Sequence, residues 1–341
     1  MSVPTKLARL VASASKIRCE LGEAAIWDNR ASRLLWVDVL NATLFIVQES
    51  SSAIEIHDLK QFTQHITTVV PVEDVQNPEL KNSVILGTTE GIAKYDLTTR
   101  VFENHPANPI HKTIIPKGAQ ARGNDGKADP KGRLWLGTLV RDLKTLDVVD
   151  KAAGLYCLDG WHGTPTQVLA NVTVSNGIAW HENKLYYTDS PSCHIDVMDF
   201  NTTDSLGKIC NTRRQHIKVS SGYPPVPDGC IVDKEGFVWS ALFGAGCVRR
   251  YCPLTGAIVA QVQLPPEAGP QATALAWGGE KFADLYITTG HEYWNEEQKN
   301  EFPTAGKLFI CDANDIATLC GGEEQSMGCP PYKFHMMGSD V

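Results

Sequence analysis

A step of 52 residues, taken twice, constrains this chain more than any other feature. Asn124-Asp125-Gly126 leads to Leu134-Trp135, Asn176-Gly177-Ile178 to Tyr186-Tyr187, and Asp228-Gly229-Cys230 to Val238-Trp239. The lead residues fall at 124, 176 and 228 and the aromatics at 135, 187 and 239, so the three segments superimpose without a gap. Two of them share an acidic-x-x-Gly turn, Asp129-Pro130-Lys131-Gly132 and Asp233-Lys234-Glu235-Gly236, and such a turn between strand-like runs reads as a hairpin. Looser copies flank these three. Glu23-Ala24-Ala25-Ile26-Trp27 leads to Leu35-Trp36-Val37, Ser83-Val84-Ile85-Leu86-Gly87 precedes Gly91-Ile92-Ala93-Lys94-Tyr95, and Thr273-Ala274-Leu275-Ala276-Trp277 leads to Leu285-Tyr286-Ile287. That makes six copies. Each holds short runs of Val, Ile, Leu, Tyr and Trp split by Gly, Asp, Asn and Pro, which is strand chemistry. Repeats of this length with several strands each predict an all-β fold, a six-bladed β-propeller with four-stranded blades around a central channel.

The repeats account for most of the 341 residues, so one domain is expected over residues 16–336, with tails at 1–15 and 337–341. Closing a ring removes the sheet edge that would otherwise invite aggregation. Lys16-Ile17-Arg18-Cys19-Glu20 and Tyr332-Lys333-Phe334-His335 are both strand-like, and they are expected to meet in the last blade. The charged stretch Glu292–Asn300 reads as a short helix or loop insert. Ten cysteines lie at irregular spacings with no C-x-x-C pair, and several sit inside strand-like runs, so most are expected to be free core residues. A net charge of -8 argues against nucleic acid or an anionic membrane surface as partner. No apolar run is long enough to span a membrane, and residues 1–21 lack a signal-peptide core. A cytoplasmic, reducing setting is therefore expected, and a monomer or weak dimer.

In a propeller the innermost strands line the channel, so residues at one register of the repeat converge on one axis. That register carries Glu23, Asn124, Asn176 and Asp228, each beside a glycine: Gly22, Gly123, Gly177 and Gly229. Glycine permits close backbone approach or positive φ. Single Asp-Gly and Asn-Gly pairs are ordinary turn residues. Four oxygen-bearing side chains at one register, where an apolar core would be the neutral choice, point to a central site. Carboxylate and amide oxygens without clustered His or Cys suit a hard cation such as calcium, magnesium or manganese. Buried without a partner, the two carboxylates would be strongly unfavourable.

These segments resemble the SMP-30/gluconolactonase/luciferin-regenerating-enzyme family from about Cys19 to Phe334. The motifs that carry the resemblance are Leu21-Gly22-Glu23 before Trp27, Arg122-Gly123-Asn124-Asp125-Gly126-Lys127 with Gly137-Thr138, Ser175-Asn176-Gly177 with Thr188-Asp189-Ser190, and Pro227-Asp228-Gly229 with Val232-Asp233. Leu285-Tyr286-Ile287-Thr288-Thr289 and Ala305-Gly306-Lys307-Leu308-Phe309 also fit. The resemblance implies one divalent metal in the channel, calcium foremost, with zinc, magnesium or manganese as alternatives. It implies Glu23, Asn176 and Asp228 as its ligands, Arg122 and Asn124 as substrate contacts, and an acidic substrate contact soon after the Gly-Thr motif that maps onto Asp142. The activity it implies is hydrolysis of an aldonolactone. The chain departs from the family at Ala24-Ala25, where Gly-Pro is usual, at Ala272-Thr273-Ala274, and over Asp58–Asn82.

Opening a lactone needs a polarised carbonyl, an activated water and a proton for the leaving alkoxide. A divalent metal meets the first two needs. Asp228 is the candidate for proton transfer, with Asp125 or Asp142 as alternatives. Arg122 offers a fork of donors for carbonyl or ring oxygens, and Asn124 can both donate to and accept from sugar hydroxyls. His181 and His194 read as loop or surface residues. No H-E-x-x-H or G-x-S-x-G motif supports another hydrolytic machinery. A phosphotriester or other ester substrate on the same scaffold, and a non-enzymatic calcium-binding regulatory propeller, are the competing readings.

Overall fold

The structure is a computed structural model that describes residues 2–49, 51, 53–74, 77–108, 115–222, 224–321 and 327–338. Six sheets form a six-bladed β-propeller; each has four antiparallel strands, and the second and fifth blades each gain one parallel strand from a chain end. The innermost strands are Gly22–Asp28, Ile66–Glu73, Ala119–Ala128, Ser175–His181, Val226–Val232 and Ala272–Gly278. The register read from the sequence therefore holds in the first, third, fourth, fifth and sixth blades. In the second blade the repeat-like run is Ser83–Thr88, which is the second strand. Its innermost strand, Ile66–Glu73, lies in the Asp58–Asn82 segment that departs from the family pattern.

Local chemistry explains the hairpins. Asp129 is fully buried and accepts from the Lys131 and Arg133 backbone N–H groups, from Arg133 Nε and from Trp135 Nε1. Asp233 repeats this with the Glu235 and Phe237 N–H groups, Trp239 Nε1 and Arg250 Nε. A buried carboxylate is tolerated only when its acceptor sites are filled, and here one turn fills them. The turn glycines Gly132 and Gly236 have φ of 77° and 85°, a conformation other residues adopt at a steric cost.

Aromatic pairs join neighbouring blades. A second-strand aromatic of one blade packs on the first-strand tryptophan of the next: Trp135 on Trp180, Trp239 on Trp277, and Tyr286 on Trp27. The first two are edge-on, with ring centroids 5.8 and 5.4 Å apart. Such pairs contribute about 0.5–1.5 kcal/mol each beyond the area they bury. The third closes the ring between the sixth and first blades.

The closure differs from the expectation at both ends of the chain. Arg9–Leu10, expected in a tail, is the outermost strand of the sixth blade, paired with Phe309–Cys311. Thr5–Leu7 runs parallel to the outer edge of the fifth blade. Residues 16–20 form no strand. The C-terminal Phe334–His335 pairs in parallel with Ile66–Glu73 in the second blade, not the last. To reach it, residues 328–335 cross one end of the channel, starting from a bridge between Gly328 and Asp233. Of the expected C-terminal tail, residues 339–341 lie outside the described residues.

All ten cysteines are free, and six of them are buried. The expected insert in the sixth blade contains a short helix, Glu296–Glu301, started by a reciprocal Asn295–Gln298 capping box. Among the described residues no helix is long and apolar enough to cross a membrane.

Candidate functional site

Every innermost strand carries a β-bulge, near its N-terminal end in all but the longer Ala119–Ala128, where it follows five paired residues. The ladder is interrupted between Glu23 and Ile26, Ile66 and Thr68, Gly123 and Gly126, Asn176 and Ile178, Pro227 and Cys230, and Ala272 and Leu275. A bulge re-aims side chains that a regular ladder would point into a blade. The six bulges form one level, and Glu23, Asn124, Asn176 and Asp228 belong to it. The second and sixth blades carry Thr67 and Thr273 there instead. The adjacent glycines serve close approach, not positive φ. A Cβ on Gly177 would lie 2.5 Å from the Asp228 carbonyl oxygen, and one on Gly229 would lie 2.9 Å from the Ala274 Cα. Ala24, at the first bulge, takes φ of 53° without being a glycine.

Above this level, toward the N-terminal ends of the innermost strands, lies a cavity of about 610 Å³. Glu23, Arg122, Asn124, Asn176 and Asp228 all line it. Its size is that of a small-molecule site.

A chain of hydrogen bonds orients the amides. Arg122 Nη1 donates to Asn124 Oδ1 (2.8 Å), and Asn124 Nδ2 donates to Asn176 Oδ1 (2.6 Å). Asn176 Nδ2 donates to Ser190 Oγ (2.8 Å), and Ser190 Oγ donates to the Pro227 carbonyl (2.7 Å). Because the Ser190 proton goes to Pro227, its oxygen must accept, which turns the Asn176 nitrogen toward Ser190 and its oxygen toward the channel. Asn176 Oδ1 keeps a lone pair beyond the one that Asn124 uses.

The two carboxylates stand differently. Among the described residues Glu23 accepts only from the neighbouring Ala24 N–H, and Asp228 has the Gly229 N–H. Burial, followed by Asp228 and then Asp125, drives the Glu23 carboxyl well above its ordinary range. Burial, followed by Asp125 and then Glu292, does the same to Asp228. Neither forms an ion pair among the described residues. Two buried acids that resist ionisation together, beside an oriented amide oxygen, are the donor set a hard divalent cation requires. Among the described residues no group of three or more His, Cys, Asp or Glu suits a metal, so a cation held here would need the Asn176 carboxamide as a third donor. Glu23, Asn176 and Asp228 fit such an ion.

Other expected positions separate. Asp125 does not line the cavity. It is buried just beneath, accepts from the Gly126 N–H and lies beside Lys127, whose ammonium donates to the Cys230 carbonyl. Asp142 is not in the cavity either. It faces out and accepts from the Lys144 and Thr145 N–H groups, closing a turn. The residue of that strand that enters the cavity is Arg141. His181 and His194 are strand-end residues, not loop residues, and both lie outside the cavity.

Sequence reasoning missed the rim. Arg141 pairs with Glu292 (3.0 Å) and lies over the Tyr293 ring (5.2 Å), tying the third blade to the insert of the sixth. Gln271 Oε1 accepts from the Glu292 N–H and holds that insert in place. The charged insert was visible in the sequence, but its partner across 151 residues was not.

Residues 21–291 match the SMP-30/Gluconolactonase/LRE-like region model, and the chain belongs to this family. It is 29% identical over 296 residues to YvrE of Bacillus subtilis (strain 168), a proposed sugar lactone lactonase, covering 86% of this chain and 91% of that one. It is 28% identical over 333 residues to regucalcin of Gallus gallus, covering 94% and 99%. Its fold matches a luciferin-regenerating enzyme (TM-score 0.77, 21% identity, 96% and 99% covered). It also matches a calcium-binding regucalcin from Agrobacterium tumefaciens str. C58 (TM-score 0.76, 21% identity, 98% and 100% covered).

Proposed function

We propose that this protein hydrolyses a sugar lactone in the upper cavity, with Glu23, Asn176 and Asp228 holding one divalent cation. The observation that carries this reading is a buried, unpaired carboxylate couple beside an oriented carboxamide, in a cavity that also presents Arg122 and Asn124. A cation bound there supplies charge that polarises a carbonyl and makes a nearby water more acidic. Arg122 donates to the carbonyl or ring oxygen and stabilises negative charge that develops on it. Asn124 is already fixed by Arg122 and Asn176, and it positions a sugar hydroxyl. The water oxygen bonds to the carbonyl carbon, and an Asp228 carboxylate oxygen takes the proton. The ring C–O bond then breaks, and the same proton passes to the departing alkoxide, giving the hydroxy acid.

The test is hydrolysis of D-glucono-1,5-lactone and related aldonolactones, followed by pH-indicator change on metal-stripped protein with single divalent metals added back. Turnover above the spontaneous rate that returns only with metal supports the proposal. Metal binding with no turnover of any lactone would replace it with another ester substrate or a calcium-binding regulatory role. Arg122 and Asn124 favour turnover, because holding a cation uses neither of them.

A further inference from the structure

The upper cavity contains a charge pattern that a neutral sugar ring does not use. Arg122 and Arg141 lie on neighbouring strands of the third blade, where Arg122 pairs with Leu139. Alternate residues of a strand share a face, so Leu139 and Arg141 point the same way, and both line the cavity. Arg122 and Arg141 are thus diagonal neighbours on one face, close enough for long side chains to interact. Two cations in that relation repel unless an anion sits against them.

The protein supplies only part of that anion. Arg141 gives one Nη to Glu292 and the other to the Leu146 carbonyl, while its Nε is buried with no partner among the described residues. Arg122 is buried and bonds only to the neutral Gly123 and Asn124 oxygens, with no carboxylate partner among the described residues. Burial and then Arg141 hold its guanidinium down to about 10. His65 senses the same field: burial, then Arg122 and Arg141, bring it to about 4. The carboxylates at the bulge level are turned to the opposite role, that of cation donors. The position that the sequence assigned to the acidic Asp142 is occupied, inside the cavity, by the cation Arg141.

We propose that the substrate is an acidic sugar lactone, whose additional anionic group is received by Arg141 with Arg122 beside it. This rests on the lactonase reading for its chemistry, although the anion site itself does not. The group is a carboxylate, as in the lactone of an aldaric or uronic acid. A phosphate offers the same charge and is distinguished in the assay.

The experiment compares kcat/KM for D-glucaro-1,4-lactone, a 6-phosphorylated gluconolactone and D-glucono-1,5-lactone, in the metal-loaded protein and in Arg141→Gln and Arg141→Lys. The wild type should prefer an anionic lactone about tenfold or more, the usual effect of one charge-assisted contact. Arg141→Gln should remove that preference mainly through KM, and Arg141→Lys should restore part of it. The carboxylate and phosphate arms identify which anion is preferred. Equal turnover of neutral and acidic lactones, unchanged by Arg141→Gln, would overturn the proposal. If Arg141→Gln does not fold, Glu292→Gln serves instead. Freeing Arg141 should then strengthen the preference, and a weakened preference would overturn the proposal. If no lactone is turned over with any metal, calorimetric binding of D-glucarate and D-gluconate decides the anion site separately. Tighter D-glucarate binding that is lost in Arg141→Gln sustains it, and equal binding of the two acids refutes it.

Discussion

The same six innermost strands build both ends of the channel, yet the two ends share almost no chemistry. At the upper end the bulges turn Glu23, Asn124, Asn176 and Asp228 into a cavity of about 610 Å³ ringed by Arg122, Arg141 and Glu292. At the lower end the strands have recovered their regular pleat, and Trp27, Trp180 and Trp277 surround a smaller cavity of about 160 Å³. Cys329, Pro330, Pro331 and Tyr332 of the C-terminal segment also line it. The lower end rests on aromatic packing, with Lys127, His181 and Glu182 also in its lining. The upper end concentrates buried charge, which in the proposed function a bound cation and substrate balance. A strand of seven residues thus serves stability at one end and chemistry at the other.

Substitutions at the two ends should therefore separate activity from stability. Asp228→Ala should lower lactone hydrolysis by about 10²- to 10⁴-fold, the range of a lost proton-transfer group, and weaken metal binding measured by calorimetry. Retention of full activity would sink the assignment. Trp277→Ala, at the lower end, should cost about 3–5 kcal/mol in denaturant unfolding, while the metal affinity of the folded fraction stays near that of the wild type. A smaller effect is expected from Ser190→Ala, because Ser190 acts on the site by holding the Asn176 amide. Without the hydroxyl that fixes the Asn176 amide, metal affinity should fall about 10- to 100-fold, and an unchanged affinity would show that Asn124 alone suffices.

The smallest expected effect concerns pH. His65 is held to about 4, below its ordinary value of 6.5, so the folded state resists protonation that the unfolded chain accepts. Its contribution is present above pH 6.5 and is lost as pH falls toward 4. Urea unfolding of the wild type and His65→Gln should therefore show a gap that changes between pH 7.5 and 5 by on the order of 1 kcal/mol, allowing for partial exposure. A gap that stays constant would mean that neither burial nor the two arginines holds His65 below its ordinary value.

The upper site was legible because a propeller brings one register of its repeat to one axis, so the spacing of 124, 176 and 228 was already a statement about proximity. Glu23 followed from the looser first copy. Arg141 was not legible. Whether Arg141 or Asp142 enters the cavity depends on the pleat of the second strand, and a one-residue shift of parity exchanges the faces. Ser190 sits in a motif that the sequence displayed, but its role depends on where its proton goes, and that is set by the Pro227 carbonyl of the next blade. Glu292 and Tyr293 come from an insert whose composition signals a short helix and says nothing of where it docks.

Closure shows the same division. Strand chemistry at both ends of the chain was readable, but its destination was not. Arg9–Leu10 completes the sixth blade and Phe334–His335 joins the second, because each segment pairs with whichever open edge the folded ring leaves within reach. By itself, then, the sequence determined the fold class, the blade count and the polar level of the channel, because strand period, turn chemistry and repeat spacing are local and recur. Only the tertiary structure decided which charges meet at the rim, which amide oxygen faces the axis and which strand closes the ring, because those depend on strand parity and on contacts between segments far apart in the chain.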